Sequence, residues 1–230
     1  MMRKIIGKII DIVLPPKGED TASKEAASPP PAGVKTVSLE QLLGGALGEP
    51  PAEPDLRVIG LYSSVEDEKI AELTQALLYL NEMNRLLPEG KEKKPVEFYI
   101  NTYGGSADDM FAMYDVMQSV MEETEIHTIG VGKVMSAGTL LLAAGTKGKR
   151  KIGKSCRVMI HNVAAGNFGT LPNLANELEA IQQLQEDYIS AMVDNTKFTR
   201  KKLERLLNEK VNIYLSAEEA VKYGLADEIM

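Results

Sequence analysis

The chain is poor in the residues that build disulfide frameworks and metal sites. Its 230 residues contain no tryptophan, one cysteine and two histidines. The single cysteine, Cys156, excludes a disulfide within the chain and is typical of a reducing compartment, so we predict a cytoplasmic location. His127 and His161 together with one cysteine cannot form a Cys/His zinc cluster. We therefore expect this chain to bind no metal and no cofactor.

An excess of positive charge and a long hydrophobic run are also missing. The formal net charge is -7 at pH 7, whereas nucleic-acid phosphates require clustered lysine and arginine, so we do not expect nucleic acid as a partner. No run approaches the roughly 20 apolar residues that cross a bilayer. The opening stretch "MMRKIIGKIIDIVL" predicts a short amphipathic helix. We favour a partner-contacting or poorly ordered tail there over membrane attachment.

Composition divides the chain near residue 55. Residues 15–55 are rich in proline, glycine and acidic residues, in stretches such as "SPPPAG" and "GEPPAEPD". Such a composition buries too little apolar surface to fold by itself. We predict an N-terminal segment and linker over residues 1–55 and a folded domain over residues 56–230.

Hydrophobic periodicity predicts that this domain has an α/β fold. Short apolar runs typical of strands alternate with segments of helical spacing, which is the pattern of a largely parallel sheet covered by helices. Ser64 is the predicted N-cap of the first helix. Strands are predicted at residues 56–62, 95–101, 125–132, 150–153, 157–163 and 212–215, and helices at residues 64–87, 109–121, 139–145, 171–196, 199–210 and 216–224.

The turn "GKVMSAG" is the most informative about function, because it places a single serine, Ser136, among small residues. It precedes a predicted helix, where backbone N–H groups are free and the dipole favours the negative charge of an acyl-transfer oxyanion. Gly104 and Gly105 occupy an earlier strand-to-helix turn, and His161 ends the strand "RVMIH". In a parallel sheet such turns gather at one edge. Taken alone, the pattern also fits an ordinary helix cap at Ser136.

Four blocks, taken in order, carry a resemblance to a known family. "FYINTYGGSADDMFAMYDVMQ" combines a strand, a glycine turn and a helix, and "GKVMSAGTLLLAAGTKGKR" contains the serine turn. "SCRVMIHNV" contains the histidine strand, and "YLSAEEAVKYGLADEI" lies near the C-terminus. From about residue 56 to residue 229 the chain resembles the proteolytic subunit of the Clp protease, a serine peptidase. The first 55 residues carry no such resemblance.

The resemblance implies a fold and a set of site residues. The fold is expected to be a crotonase-like α/β unit with a protruding helix-and-strand handle, which residues 164–192 resemble. Ser136 aligns with the nucleophile and His161 with the general base. The backbone N–H groups of Gly105 and Ala137 align with the oxyanion hole.

The resemblance also implies an assembly. Members of the family stack two seven-membered rings, handle against handle, around a closed chamber. A hexameric ATPase unfolds the substrates and threads them in. We therefore expect a homo- or hetero-oligomer, a Clp ATPase partner that uses the ATP, and unfolded polypeptide substrates.

The third member of the catalytic triad departs from the family pattern. Asn212 stands where the family has aspartate, and Ile213 replaces the arginine beside it. The carbonyl oxygen of asparagine can accept a hydrogen bond from the imidazole Nδ1–H, but it supplies no negative charge. We therefore predict a serine endopeptidase of reduced intrinsic activity. Asp194 or Asp227 could substitute, although Asp227 aligns with a structural aspartate of the family.

Three alternatives to a serine–histidine peptidase stay open on the sequence. Lys133, three residues before Ser136, allows a Ser–Lys dyad. Asn212 favours a non-catalytic or weakly active ring subunit that regulates an active paralogue. A crotonase-like acyl-CoA enzyme would share the fold and use the oxyanion donors without the serine–histidine pair. His127 lies outside the matching blocks and is predicted to be structural.

Overall fold

The computed structural model of the protein describes residues 55–209 and 211–230. The amphipathic helix and linker predicted for residues 1–55 therefore lie outside the described residues, apart from Asp55. Strands and helices alternate along the described chain. The strands are β1 (Val58–Leu61), β2 (Val96–Thr102), β3 (Ile126–Met135), β4 (Lys151–Ile152), β5 (Arg157–Ile160), β6 (Ile213–Leu215) and β7 (Glu228–Ile229), and the helices are α1 (Asp67–Arg85), α2 (Ala107–Val120), α3 (Ala137–Ala143), α4 (Leu171–Asn195), α5 (Arg200–Glu209) and α6 (Ala217–Tyr223).

The described strands form one mixed sheet that forks at β3. Strands β1, β2, β3, β4 and β7 run parallel in that order, and β5 also pairs in parallel with β3. The early part of β3 pairs with β4 at Ile129, whereas its last residues, to Met135, pair with β5. Strand β6 is antiparallel to β5. This confirms the predicted α/β fold and places the end of β3 beside the end of β5.

The core lies around the short helix α3. Every residue of α3 is buried, because its sequence "AGTLLLA" is apolar on all sides except for one threonine. A Cβ added at Gly138 would lie 2.5 Å from a methyl group of Thr102, so glycine lets the helix rest directly on β2. Helix α2 buries Met110, Met113 and Met117, which recur at the helical spacing that the sequence displays.

The start of the first helix differs from the prediction. Ser64 is not the cap: α1 begins at Asp67, and Glu66 occupies the N-cap position without a side-chain cap bond. The reason is a long-range contact, because the Val65 N–H donates to the Gly104 carbonyl oxygen at 2.9 Å and holds residue 65 in a bridge. Sequence periodicity also missed β7, since two residues are too few to show a period.

The handle is present in its helical half. Helix α4 matches the predicted helix closely, and its first ten residues are all exposed. Residues 164–170, the part of the predicted handle that precedes this helix, contain no strand. A strand needs a neighbour that satisfies its N–H and C=O groups, and no second strand lies along this segment in the described part of the chain.

The described part of the chain has no candidate for a membrane span or for a metal site. None of its helices combines the length and apolar character that a membrane span requires. Residues 55–209 and 211–230 also contain no cluster of three or more His, Cys, Asp or Glu side chains placed to hold a metal ion.

Candidate active site

Ser136 and His161 are in hydrogen-bond contact. The distance between Ser136 Oγ and His161 Nε2 is 2.8 Å. Ser136 directly follows β3 and His161 directly follows β5, two strands that pair in parallel with Met135 opposite Met159. The Ser136 N–H extends this ladder by donating to the Met159 carbonyl oxygen at 2.8 Å. The sheet register therefore brings together two side chains that are 25 residues apart.

The backbone of Ser136 is strained. Its φ of 53° is the only positive φ of a non-glycine residue in the described ranges. Such a conformation costs on the order of 1–3 kcal/mol and persists only where surrounding contacts impose it. Here the Ser136 carbonyl oxygen accepts hydrogen bonds from both the backbone N–H (2.9 Å) and the hydroxyl (2.6 Å) of Thr139. A mere helix cap needs none of this strain, and the Ser136 side chain makes no cap bond.

His161 is arranged to act as a neutral base. Burial lowers the pKa of its imidazole, because the charged form loses hydration. In the described chain the only side-chain hydrogen bond of His161 is the one between Nε2 and the Ser136 hydroxyl. A neutral imidazole whose Nε2 faces a hydroxyl can take the hydroxyl proton.

Two residues that line the cavity of Ser136 have backbone amides without a hydrogen-bond partner in the described structure. Gly105 and Ala137 line the same cavity as Ser136 and His161. Neither amide donates a hydrogen bond within the described residues, and Ala137 is the first residue of α3, where N–H groups have no partner in the helix. Two unpaired N–H groups next to a nucleophile are the donor set that an oxyanion requires.

The glycine turn before α2 is packed against Ser136. Gly104 has a φ of 100°, and a Cβ added there would lie 2.5 Å from Ser136 Cβ and 3.0 Å from Ser136 Oγ. A Cβ at Gly105 would collide with the Val65 carbonyl oxygen. Glycine at position 104 thus lets the turn approach Ser136 this closely, and glycine at position 105 lets it pass close to the Val65 backbone. The sequence placed both glycines near the site but did not reveal this contact.

The cavity that contains these groups has a volume of about 490 Å³. Its wall is mixed: Met110, Ile181, Leu184 and Tyr188 contribute apolar surface, and Asp108 and Glu177 contribute two carboxylates. An open cavity of this kind next to a serine hydroxyl can receive the side chain of a peptide residue whose carbonyl lies at the serine.

Asn212 is placed next to His161 but is not bonded to it. In the β5–β6 ladder Ile160 lies opposite Ile213, so extending the register by one residue sets His161 opposite Asn212. Asn212 is exposed, and no hydrogen bond joins the two residues in the described structure. A second open cavity of about 380 Å³ is lined by His161 and Val211 among others. The role of Asn212 as the third triad member stays a prediction.

Asp227 is engaged in a different part of the fold. Its carboxylate oxygens accept hydrogen bonds from the buried guanidinium of Arg150, at 2.6 and 2.9 Å, and from the Gly148 N–H at 2.7 Å. Burial raises the pKa of Asp227, but the hydrogen bonds and charge of Arg150 outweigh this effect and hold the pKa below its usual value. These contacts favour the structural interpretation of Asp227.

Other polar residues singled out by the sequence have separate partners. The Lys133 ammonium donates to Asn101 Oδ1 at 2.8 Å, and the hydroxyl of Ser136 is bonded to His161 instead. The exposed Asp194 accepts a hydrogen bond from a lysine through its backbone carbonyl oxygen. His127 pairs with a neighbouring glutamate at 2.8 Å. The geometry thus favours His161 over Lys133 as the partner of the serine.

Sequence reasoning missed Thr139 and Tyr188. The two hydroxyl groups are 2.9 Å apart, and Thr139 in turn contacts the Ser136 carbonyl oxygen. The available signal was a threonine inside an otherwise apolar helix and a tyrosine on the buried face of α4. Neither suggests the other, because they are 49 residues apart.

Comparison with known proteins agrees with this geometry. A family model described as "Clp protease" matches residues 54–230. A protein of Deinococcus radiodurans described as "ATP-dependent Clp protease proteolytic subunit" is 33% identical over 174 residues, which cover 76% of this chain and 80% of that protein. The family match spans the whole described part of the chain, including the serine turn, the histidine strand and β6.

Proposed function

We propose that this chain, which belongs to the Clp protease family, is the proteolytic subunit of an ATP-dependent protease and cleaves peptide bonds as a serine endopeptidase. The observation that carries the proposal is the 2.8 Å contact between Ser136 Oγ and His161 Nε2. Membership of the family makes proteolysis the expected reaction, and this contact provides a nucleophile with an adjacent base.

In the proposed acylation step, Ser136 Oγ attacks the carbonyl carbon of the scissile peptide bond while His161 Nε2 takes the hydroxyl proton. The carbonyl oxygen becomes an oxyanion that the N–H groups of Gly105 and Ala137 stabilise. When this intermediate collapses, the C–N bond breaks and His161 returns the proton to the leaving amine. The N-terminal part of the substrate is then an ester of Ser136.

In the proposed deacylation step, water attacks the ester carbonyl and His161 Nε2 takes a proton from the water. The same two amides hold the second oxyanion. Its collapse breaks the bond to Ser136 Oγ, which regains its proton from His161, and a carboxylic acid is released. The lowered pKa of the half-buried His161 supports this cycle, because an imidazole with a pKa below 6.5 is mainly neutral at pH 7 and ready to accept a proton.

We extend the proposal to the assembly. We expect a homo- or hetero-oligomer of stacked seven-membered rings, served by a hexameric Clp ATPase that uses ATP and delivers unfolded polypeptides, in the cytoplasm. No cofactor is assigned to this chain. The resemblance and the name of the Deinococcus radiodurans relative support this part. Large apolar side chains near the exposed end of the handle support it too, because Phe168, Leu171 and Leu178 are 100%, 81% and 57% exposed in the single chain.

A second candidate function is a weakly active or non-catalytic ring subunit that regulates an active paralogue. One observation favours it: Asn212 is exposed and makes no hydrogen bond to His161 in the described residues. A histidine that nothing orients at Nδ1 is a poorer base, because the productive tautomer is not selected.

Labelling by a fluorophosphonate, followed by intact mass, separates the two candidates. We expect one adduct on the wild-type protein and none on Ser136→Ala. Ser106→Ala is the matched control, because Ser106 is another serine that lines the cavity, yet its hydroxyl only caps α2 by accepting from the Asp109 N–H at 3.2 Å. This variant should keep the adduct. An unlabelled wild-type protein would contradict the serine peptidase and favour the regulatory subunit, which should then change peptide hydrolysis when mixed with an active paralogue.

A further inference from the structure

A chain of hydroxyl groups links the handle helix to the nucleophile turn. Tyr188 of α4 is 4% exposed, and its hydroxyl lies 2.9 Å from Thr139 Oγ1. Thr139 Oγ1 lies 2.6 Å from the carbonyl oxygen of Ser136. Thr139 is itself fully buried in α3.

The direction of each hydrogen bond follows from the number of protons available. A carbonyl oxygen only accepts, so the proton between Thr139 and Ser136 belongs to the Thr139 hydroxyl. Since Thr139 has no second proton, the Tyr188 hydroxyl donates to Thr139. Burial raises the pKa of Tyr188 to about 12, so the phenol keeps its proton at neutral pH. Two hydrogen bonds that run in one direction polarise and strengthen each other.

The Ser136 carbonyl and the Ala137 N–H belong to one planar peptide group. No cis peptide bond occurs in the described chain, so the C=O and the N–H of this group point in opposite directions. Contacts that fix the Ser136 carbonyl therefore also fix the orientation of the Ala137 N–H. That amide has no hydrogen-bond partner in the described residues, and Ala137 lines the cavity that contains Ser136 and His161.

We propose that Tyr188 and Thr139 are positioning residues that orient the Ala137 N–H as an oxyanion donor by holding the carbonyl end of the same peptide group. This inference rests on the proposed serine peptidase function. It also couples the handle to the chemistry, because α4 carries Tyr188: a shift of this part of α4 changes the hydrogen bond that the nucleophile turn receives.

Three variants and one matched control test the inference. Thr139→Val removes the hydroxyl at nearly constant volume, Thr139→Ser keeps it, and Tyr188→Phe removes only the phenol oxygen. The control is Thr128→Val, because Thr128 is equally buried and its hydroxyl donates to the Leu142 carbonyl oxygen of the same helix at 2.7 Å. The control thus deletes the same kind of bond from α3, but far along the helix from the Ser136–Ala137 peptide.

Peptide hydrolysis per fluorophosphonate-titrated site is the first readout. Loss of a complete oxyanion donor costs about 10²–10³ in kcat, so we expect misorientation to cost about 10- to 100-fold in Thr139→Val and about tenfold in Tyr188→Phe, with KM nearly constant. Affinity for a peptide aldehyde, whose adduct places an oxyanion in the hole, should fall in parallel. Thr139→Ser should restore both. Thr128→Val should lower the melting temperature but change kcat less than about twofold.

The orientation itself is the second readout and does not depend on activity. In isotope-labelled protein, the residual dipolar coupling of the Ala137 N–H bond should change in Thr139→Val and Tyr188→Phe and match wild type in Thr128→Val. An unchanged coupling in both test variants would overturn the inference, as would losses of kcat equal to that of the control. A wild-type protein that neither hydrolyses peptide nor is labelled would overturn the proposed function instead, and the coupling would still decide whether the two hydroxyls orient this amide.

Discussion

Two residues predicted to act with His161, Ser136 and Asn212, differ in how many contacts hold them in place. On the Nε2 side, Ser136 is held by the β3–β5 ladder and by Thr139, and the hydrogen bond to its hydroxyl is 2.8 Å long. Asn212, the residue that the extended register sets opposite His161, is exposed and unbonded to the ring in the described structure. The serine next to the core is therefore held by several contacts, whereas the asparagine at the sheet edge makes no hydrogen bond to the histidine.

Burial explains this difference. The paired core residues Val134 of β3 and Val158 of β5 are 0% exposed, so neighbours on both faces fix the position of these strands. Strand β6 has three residues, is paired on one side only, and carries Tyr214 at 61% exposure. A short edge strand leaves the segment before it with few contacts that determine its conformation.

The largest expected effect on catalysis comes from Gly104→Ala, a change next to the firmly held Ser136. The new methyl group would meet Ser136 Cβ at 2.5 Å and must displace the nucleophile or the turn. Misplacing a reacting group by about 1 Å costs on the order of 10²-fold, so kcat should fall by about that factor or more. Fluorophosphonate labelling rates and peptide hydrolysis would both measure it.

Gly148→Ala is the matched control for strain without collision. Gly148 also has a positive φ, 84°, but an added Cβ there has no neighbour within 4 Å. This variant should lose about 1 kcal/mol of stability or slightly more and keep its activity. If Gly104→Ala behaved like Gly148→Ala, the close approach of the glycine turn to Ser136 would not matter for catalysis.

The next largest effect is a loss of stability in Asp227→Asn. This variant also tests whether Asp227, rather than Asn212, acts as the third member of the triad with His161. Breaking its ion pair with the buried Arg150 in Asp227→Asn should cost about 2–3 kcal/mol, since the carboxylate is partly exposed and a fully buried pair would cost more. Urea unfolding would measure this loss. The folded-state pKa of Asp227 lies below its usual 3.8, so this contribution is present above that pH and disappears as the pH falls through the folded-state pKa. A large drop in kcat per titrated site would instead give Asp227 a role at His161.

Asn212→Asp should make His161 a better general base. A carboxylate opposite His161 can orient Nδ1–H and stabilise the imidazolium, so we expect kcat to rise by about tenfold, within the 10⁴ that the reverse change costs in another serine protease. Peptide hydrolysis per titrated site is the measurement. Asn212→Ala is the control, and because the asparagine is exposed and unbonded to the ring in the described structure, this variant should change kcat by less than about twofold, an outcome that would contradict the triad role predicted from the sequence. A substantial loss in Asn212→Ala would show that the asparagine already orients the imidazole.

The smallest effect concerns pH. Because burial lowers the pKa of His161, the acid limb of kcat/KM should have a midpoint below 6.5, the usual value for histidine. The same shift makes the unfolded chain bind the proton more readily, so the fold loses stability as the pH falls below 6.5. Asn212→Asp should move the midpoint upward, because a nearby negative charge favours the imidazolium. A wild-type midpoint at or above 6.5 would contradict the desolvated environment of the ring.

Much of the fold could be predicted because apolar residues recur at the spacing of a helix or a strand along each element. The strand at residues 157–163 and the long helix at residues 171–196 appear within a few residues of their predicted bounds. Ser64 failed as a cap because a hydrogen bond from the Val65 N–H to the Gly104 carbonyl oxygen in the distant glycine turn overrides the local preference. The serine and histidine were proposed from their turns and from the resemblance, while their 2.8 Å contact required the register of β3 and β5.

Short-range spacing and residue chemistry encode the α/β alternation, the glycine turn, the serine turn and the histidine at a strand end, so these features could be read without a structure. Three-dimensional packing alone brings Gly104 against Ser136, joins the Tyr188 hydroxyl through Thr139 to the Ser136 carbonyl, and leaves Asn212 exposed. These contacts join residues from separate elements, and they depend on angstrom-scale packing that no local pattern encodes.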